Sequence, residues 1–111
     1  MNAYIPKQRD IVWLNFSPSS GHEIKKRRPG IVVSHTHFNK VTGFCLICPI
    51  TTSDRQYPSV VKLDDQHYSV EGSILTHQIR SLDYGSREIA YTDKLSSVKW
   101  IETIEKIGMI F

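Results

Sequence analysis

The sequence has no apolar run long enough to cross a membrane as a helix. Its longest strongly apolar stretch, residues 44–50, has the length of a strand, whereas a membrane-spanning helix needs about 20 apolar residues. Residues 1–7 lack the apolar middle region of a secretory signal peptide. We therefore expect a cytoplasmic protein with no membrane anchor.

Cysteine is also scarce, with Cys45 and Cys48 as the only two. A single Cys-x-x-Cys pair suits a redox site at a helix N-terminus, and a zinc site would need a second pair. Here the pair lies inside an apolar, strand-like segment, where residues three apart point to opposite faces of the sheet. The two thiols then cannot bridge each other, and we predict two buried core residues.

Repeats, low-complexity segments and Gly- or Ser-rich linkers are absent as well. A chain of 111 residues falls within the usual size of a single domain. Its apolar share of 40% suffices for a core. We predict one domain over residues 1–111.

Positive charge is unevenly distributed. Residues 1–60 carry eight Lys or Arg against three Asp or Glu, whereas residues 61–111 carry six against eight, so the net +3 combines balances of +5 and −2. Most of the excess lies in residues 25–28, a run of four cations. Such a run is either a solvated loop or part of a surface that binds a polyanion.

Short apolar and β-branched segments, separated by turn residues, predict five to seven strands. They cover residues 11–16, 31–35, 43–52, 60–63, 72–76 (continuing towards 79) and 88–92.

After residue 94 the apolar residues recur every three positions, which favours an amphipathic helix with Ser96 or Asp93 as N-cap. The predicted apolar stripe comprises Leu95, Val98, Ile101, Ile104 and Ile107. We expect Trp100 to pack on the sheet. The predicted fold is mainly β: a small barrel closed by one C-terminal α-helix.

Residues 17–29 form a connection far longer than the usual hairpin loop of about two to five residues. A loop of this length is either mobile or functional. It contains His22 and Glu23 beside Lys25, Lys26, Arg27 and Arg28. Further polar residues cluster in later strands, at Thr51, Thr52, His77, Gln78 and Arg80.

These residue types suit a phosphodiester. Cations attract the backbone of a nucleic acid, and arginine, threonine and glutamine supply donors to phosphate oxygens. RNA cleavage without a metal further needs a base, an acid and a group that stabilises the phosphorane. His22 and Glu23 are adjacent and lack other ligands at metal-binding spacing, so we predict no metal or other cofactor. The residues alone leave both RNA binding and RNA cleavage open.

A longer pattern resembles the opening of the MazF/PemK family of toxin endoribonucleases. Its first block reads Asp10-x-x-Trp13-x-x-Phe16-x-Pro18-x-x-Gly21-His22-Glu23-x-x-x-x-Arg28-Pro29, followed by Ile31-Val32-Val33-Ser34. It continues with Phe38-Asn39, Pro49-Ile50-Thr51-Thr52 and Leu75-x-x-Gln78-x-Arg80-Ser81-Leu82-Asp83. The resemblance spans essentially the whole chain.

The resemblance implies an SH3-like barrel that forms a homodimer. It also implies cleavage of single-stranded RNA, usually mRNA, at short sequences and without metal. In such cleavage the 2′-hydroxyl attacks and leaves a cyclic phosphate and a 5′-hydroxyl. The expected partners are single-stranded RNA and a cognate antitoxin whose acidic, flexible tail covers the RNA groove.

By position, Arg28 matches the family's catalytic arginine and Thr51 its active-site hydroxyl. Glu23 matches an acidic loop residue near the RNA, and His22 a histidine that assists catalysis in the PemK-like branch. We assign catalysis to Arg28, Thr51, His22 and His77. RNA binding is assigned to Glu23, Lys25, Lys26, Arg27, Thr52, Gln78 and Arg80.

The chain departs from the family pattern in three places. Leu75 and His77 stand where PemK-like members have a catalytic arginine and aspartate. His77 could replace the acid, because the ordinary histidine pKa of ~6.5 suits either acid or base. Arg9 stands where the family usually has glycine, and Ile24-Lys25-Lys26 makes the long loop more cationic.

Two alternatives remain. The lost arginine and aspartate leave room for a non-catalytic RNA-binding module on the same fold. A topoisomerase-inhibiting toxin of the related CcdB-like type is the other. The Gly21-His22-Glu23 and Arg28-Pro29 block argues against the latter, since such an inhibitor needs no RNA-cleaving loop.

Overall fold

One antiparallel sheet organises the computed structural model, which describes residues 4–17, 27–52 and 57–111. Within these ranges its strands are β1 (Asp10–Asn15), β2 (Arg27–Val32), β3 (Phe44–Thr51), β4 (Val60–Lys62), β5 (Ser73–Leu75), β6 (Arg80–Asp83) and β7 (Ala90–Lys94). Two α-helices accompany them, α1 (Thr36–Thr42) and α2 (Ser97–Ile110). Single 3-10 turns cover Thr76–Gln78 and Tyr84–Ser86. None of the helices in these ranges is long and apolar enough to span a bilayer.

The strands lie in the order β4-β5-β3-β2-β1-β7, and β6 also pairs with β3. The sheet does not close into the predicted barrel, because β4 and β7, the first and last strands of this order, do not pair with each other in the described chain. Helix α2 follows β7 directly and reaches β4, where the Lys106 ammonium donates to the Val60 carbonyl at 2.8 Å. A helix thus lies where a barrel would have a further strand pairing. The mainly β prediction with a C-terminal helix is confirmed.

Alternation along β3 sends its side chains into two apolar clusters, as expected for a strand buried on both faces. Cys45 lies in one cluster, with Val12 and Leu14, and Cys48 lies in the other, with Ile11. Both cysteines are free and fully buried, and burial raises each thiol pKa to about 12. The predicted pair of core thiols is confirmed.

Helix α2 begins as predicted, because the Ser96 hydroxyl accepts a hydrogen bond from the Lys99 amide at 3.1 Å. Trp100 packs against the core, also as predicted. The predicted apolar stripe is wrong, since Val98 and Ile101 are exposed. Residues spaced strictly by three rotate about 60° per step around a helix with 3.6 residues per turn. They therefore cannot share one face.

Arg9 adopts the left-handed conformation, with φ 81°, at the position where the resemblance expects glycine. This conformation costs a non-glycine residue roughly 1–2 kcal/mol. Its guanidinium Nη2 donates to the Leu95 carbonyl at 2.8 Å, and its own carbonyl accepts from the Leu95 amide at 3.0 Å. These bonds offset the strain and tie the start of β1 to the lead-in of α2.

Candidate functional site

Arg28 lies near the start of β2, opposite Leu14 of β1, with Pro29 opposite Trp13. The next residue, Gly30, permits close packing of the sheet: a Cβ there would lie 2.9 Å from the Ile47 side chain. The strand pairing therefore fixes the backbone of Arg28 at the sheet surface while its side chain stays exposed.

Among the described residues, the larger of two cavities beside Arg28 has a volume of about 560 Å³. Thr51 and Thr52 enter it from the end of β3, and Arg28 enters from β2. The remaining lining residues are Trp13, Pro29, Ile50, Ser69, Val70 and Glu71. Three residues predicted from the sequence are thus brought together from separate parts of the chain.

A smaller cavity of about 210 Å³ also has Arg28 in its wall, together with Gln78 and Arg80. The guanidinium carbon of Arg80 lies 5.4 Å from the centre of the Phe16 ring, a cation–π distance. Arg28 therefore lines both cavities, and the smaller cavity adds a second arginine and an amide side chain.

Two predicted residues have other neighbours. His77 is exposed and is absent from the lining of both cavities; its Nδ1 lies 2.8 Å from the Ser59 hydroxyl, and its ring packs edge-on against Tyr57 at 5.2 Å. Arg27 forms an ion pair with Glu88 and also donates to the Glu88 carbonyl. The structure does not bring these two side chains into the cavities with Arg28.

The remaining predicted site residues, His22, Glu23, Lys25 and Lys26, lie outside the described residues.

The sequence reasoning missed six lining residues of the larger cavity: Trp13, Pro29, Ile50, Ser69, Val70 and Glu71. The first three belong to the family-like pattern, but only as fixed positions without an assigned role. Residues 69–71 precede β5 and are brought near Arg28 by long-range contacts, among them the β3–β5 pairing, in which Thr51 faces Ser73. A long-range pairing of this kind leaves no local signal in the sequence.

The residues that line the larger cavity include one arginine, three residues with hydroxyl groups and one glutamate, among apolar neighbours. A guanidinium and hydroxyls donate to anionic oxygens, and a carboxylate accepts a proton or a hydrogen bond. Among residues 4–17, 27–52 and 57–111, no group of three or more His, Cys, Asp or Glu side chains is placed to hold a metal ion.

Fold and cavities together define a small, mainly antiparallel β protein with an arginine–threonine cleft at its sheet surface. Residues 7–111 match the family described as "PemK-like, MazF-like toxin of type II toxin-antitoxin system". The chain belongs to this family.

Individual relatives agree with that assignment. The chain is 34% identical over 87 residues to the endoribonuclease toxin MazF of Escherichia coli K12, which covers 78% of this chain and 77% of the relative. It is 37% identical over 82 residues to the endoribonuclease toxin ChpB of the same strain, covering 70% of each. A MazE–MazF crystal structure from Deinococcus radiodurans superposes with a TM-score of 0.88, at 37% identity and 96% coverage of both chains.

Proposed function

We propose that this protein is a toxin endoribonuclease that cleaves single-stranded RNA, with mRNA in the cytoplasm as its natural substrate. The observation that carries the proposal is the meeting of Arg28, Thr51 and Thr52 in one cavity of a MazF-family chain. Relatives at 34% and 37% identity are named endoribonuclease toxins, which supports the same reaction class here.

In the proposed reaction the 2′-hydroxyl of the RNA attacks the adjacent phosphorus. The Arg28 guanidinium stabilises the phosphorane, because a bidentate cation matches its charged oxygens. The Thr51 hydroxyl donates to the same group. The products are a cyclic phosphate and a 5′-hydroxyl, and no metal takes part.

Proton transfer to the leaving 5′-oxygen is assigned to His22 or His77, the two histidines chosen from the sequence. His77 would need to leave Ser59, with which it shares a 2.8 Å contact. Separate His22→Ala and His77→Ala variants decide between them, because only loss of the acid slows the cleavage step.

The RNA would continue past Arg28 into the smaller cavity, where Gln78 and Arg80 offer donors. We assign backbone contacts to Lys25, Lys26 and Arg27, with Glu23 and Thr52 near the bound strand. Selective cleavage at short sequences would follow from the bases held along this path. Single-stranded bases expose edges that such side chains can read.

The proposed partners include a cognate antitoxin with an acidic, flexible tail and a second copy of this chain. A MazE–MazF complex is the structural relative at TM-score 0.88, and the +5 balance of residues 1–60 complements an acidic tail. For the homodimer we assign the exposed apolar side of α2, because Val98, Ile101 and Met109 are 66%, 58% and 68% exposed.

A cleavage assay tests the proposal. Purified protein is incubated with a long single-stranded RNA in EDTA, and the new 5′ ends are mapped and tested for phosphorylation by a kinase. Discrete cuts with 5′-hydroxyl ends, lost in Arg28→Ala, are expected. Binding of intact RNA without cuts would instead support the non-catalytic module.

A further inference from the structure

Glu71 contributes the one carboxylate among the residues that line the larger cavity in the described chain. Its side chain is exposed, and no Lys or Arg of the described residues lies within ion-pair distance of it. Glu71 therefore lines the same cavity as Arg28 and Thr51, and no described cation pairs with its carboxylate.

The backbone on the C-terminal side of Glu71 is held against Thr51. Gly72 has φ 124°, and a Cβ placed on it would lie 2.2 Å from the Thr51 carbonyl oxygen. Only glycine allows this approach, because both the φ angle and the missing side chain are needed. Because Gly72 contacts Thr51, the last residue of β3, the neighbouring residue Glu71 is held close to the end of that strand.

The backbone on the N-terminal side is held equally firmly. Val70 is buried in the core, and the Ser69 amide donates to Asp93 Oδ2 at 2.8 Å. The Ser69 and Thr92 hydroxyls lie 2.9 Å apart. Glu71 thus lines the cavity from a segment anchored on both sides, and it is exposed.

The proposed reaction needs a group that accepts the proton of the attacking 2′-hydroxyl. His77 occupies the position where the resemblance expects an acidic residue, and its side chain lies with Ser59 and Tyr57 instead of in the cavity. A positioned glutamate side chain can serve as such a proton acceptor.

We infer that Glu71 is the general base of the proposed ribonuclease, an assignment that rests on the proposed function. The Glu71 carboxylate takes the proton from the 2′-hydroxyl as the 2′-oxygen bonds to phosphorus. The bond from phosphorus to the 5′-oxygen then breaks, and that oxygen takes a proton from the histidine acid. Exchange with water restores the carboxylate and the imidazolium.

The test compares wild-type protein with Glu71→Gln, which keeps the shape of the side chain and removes its basicity. The matched control is Asp64→Asn, which also converts a carboxylate to an amide at an exposed position and lies outside both cavities. Single-turnover cleavage of an RNA oligonucleotide is measured from pH 4 to 8, and affinity is measured with an uncleavable 2′-deoxy oligonucleotide.

The expected result is at least a 100-fold lower cleavage rate for Glu71→Gln, with affinity within threefold of wild type. The rise of the wild-type rate with increasing pH should also disappear. Asp64→Asn should match wild type in both respects, and Glu71→Asp should retain the pH-dependent rise at a reduced rate.

Cleavage by Glu71→Gln within threefold of wild type would overturn the assignment. So would unchanged cleavage with tighter RNA binding, because the carboxylate would then only repel the backbone. If Glu71→Gln does not fold, a Glu71→Asp profile that lacks the pH-dependent rise overturns it too. Failure of the proposed function has a different signature, since the wild-type protein itself would leave the RNA intact, and the role of Glu71 would fall with it.

Discussion

Gly72 packs directly against Thr51, so closely that a Cβ on Gly72 would lie 2.2 Å from the Thr51 carbonyl oxygen. This contact joins the end of β3 to the segment that carries Glu71. The Cβ of an alanine at this position would push the two backbones apart, and the alanine would also have to adopt φ 124°. The geometry of the larger cavity therefore depends on a residue that contributes no side chain.

Gly72→Ala is expected to lower the free energy of unfolding by about 3 kcal/mol, because backbone strain and a steric clash add. It should also reduce RNA cleavage. Urea denaturation monitored by circular dichroism measures the first effect.

Gly43→Ala serves as the matched control, since Gly43 also has a positive φ of 77° but nothing lies within 4 Å of its position for a Cβ. That variant should lose only about 1 kcal/mol from strain. Equal losses in the two variants would contradict the close contact at Thr51.

Ser96 stabilises the start of α2 in two ways. Its hydroxyl accepts from the Lys99 amide at 3.1 Å and donates to Asp65 Oδ2 at 2.6 Å. Ser96→Ala should lower the free energy of unfolding at pH 7 by about 1–2 kcal/mol, the usual range for losing an N-cap. Thermal and urea denaturation check this value, and a loss below 0.3 kcal/mol would contradict the capping role.

Acid should destabilise the protein partly through the hydrogen bond between Ser96 and Asp65. Hydrogen bonds from Ser96 and Tyr68 hold the pKa of Asp65 below its ordinary value of 3.8. The stability it contributes is therefore present above pH 3.8 and is lost as the pH falls through the lowered, folded-state pKa. Urea titrations at pH 5, 4 and 3 should show a smaller acid loss for Ser96→Ala than for wild type. Equal acid-induced losses of stability in the two proteins would show that this hydrogen bond does not contribute to the pH dependence.

The two cysteines should resist alkylation in the folded protein. Both are fully buried, and burial raises each pKa to about 12, so the reactive thiolate is nearly absent at pH 8. Mass spectrometry after iodoacetamide treatment should find neither thiol modified in native protein and both modified in 6 M guanidinium chloride. Rapid labelling of native protein would contradict the core placement.

The contribution of the cations of residues 25–28 to RNA binding can be tested by measuring how RNA affinity depends on salt concentration. Lys25→Ala and Lys26→Ala should each weaken RNA binding and reduce the slope of log affinity against log salt by roughly 0.7–1 per lost phosphate contact. Lys62→Ala, on an exposed position of β4, is the control with the same charge change. An unchanged slope would show that the run is only a solvated loop.

Local patterns predicted much of the fold. Strand segments, the N-cap at Ser96 and the opposite faces of Cys45 and Cys48 follow from side-chain period and capping chemistry, which act within a few residues. Helix α1 and strand β6 were not predicted. Helix α1 has only 7 residues, too few for a helical period to emerge, and β6 is defined by its pairing with β3.

The candidate site likewise combines residues that the sequence predicts with residues that only the structure reveals. Arg28 and Thr51 were found because the family-like pattern fixes their spacing. Glu71 was not, because Gly72 and the β3–β5 pairing bring it to the cavity. The absence of a β4–β7 pairing in the described chain was not predicted either, since pairing between distant strands leaves no local signal in the sequence.

The central claim is that the substrate's own 2′-hydroxyl attacks phosphorus beside Arg28 and Thr51. The most direct measurement uses an RNA oligonucleotide containing one mapped cleavage site, compared with the same oligonucleotide carrying a single 2′-deoxy nucleotide immediately 5′ of the scissile phosphate. The account predicts that wild-type protein in EDTA cuts the first and leaves the second intact, while both bind with similar affinity. Cleavage of the 2′-deoxy oligonucleotide at the same bond would contradict it.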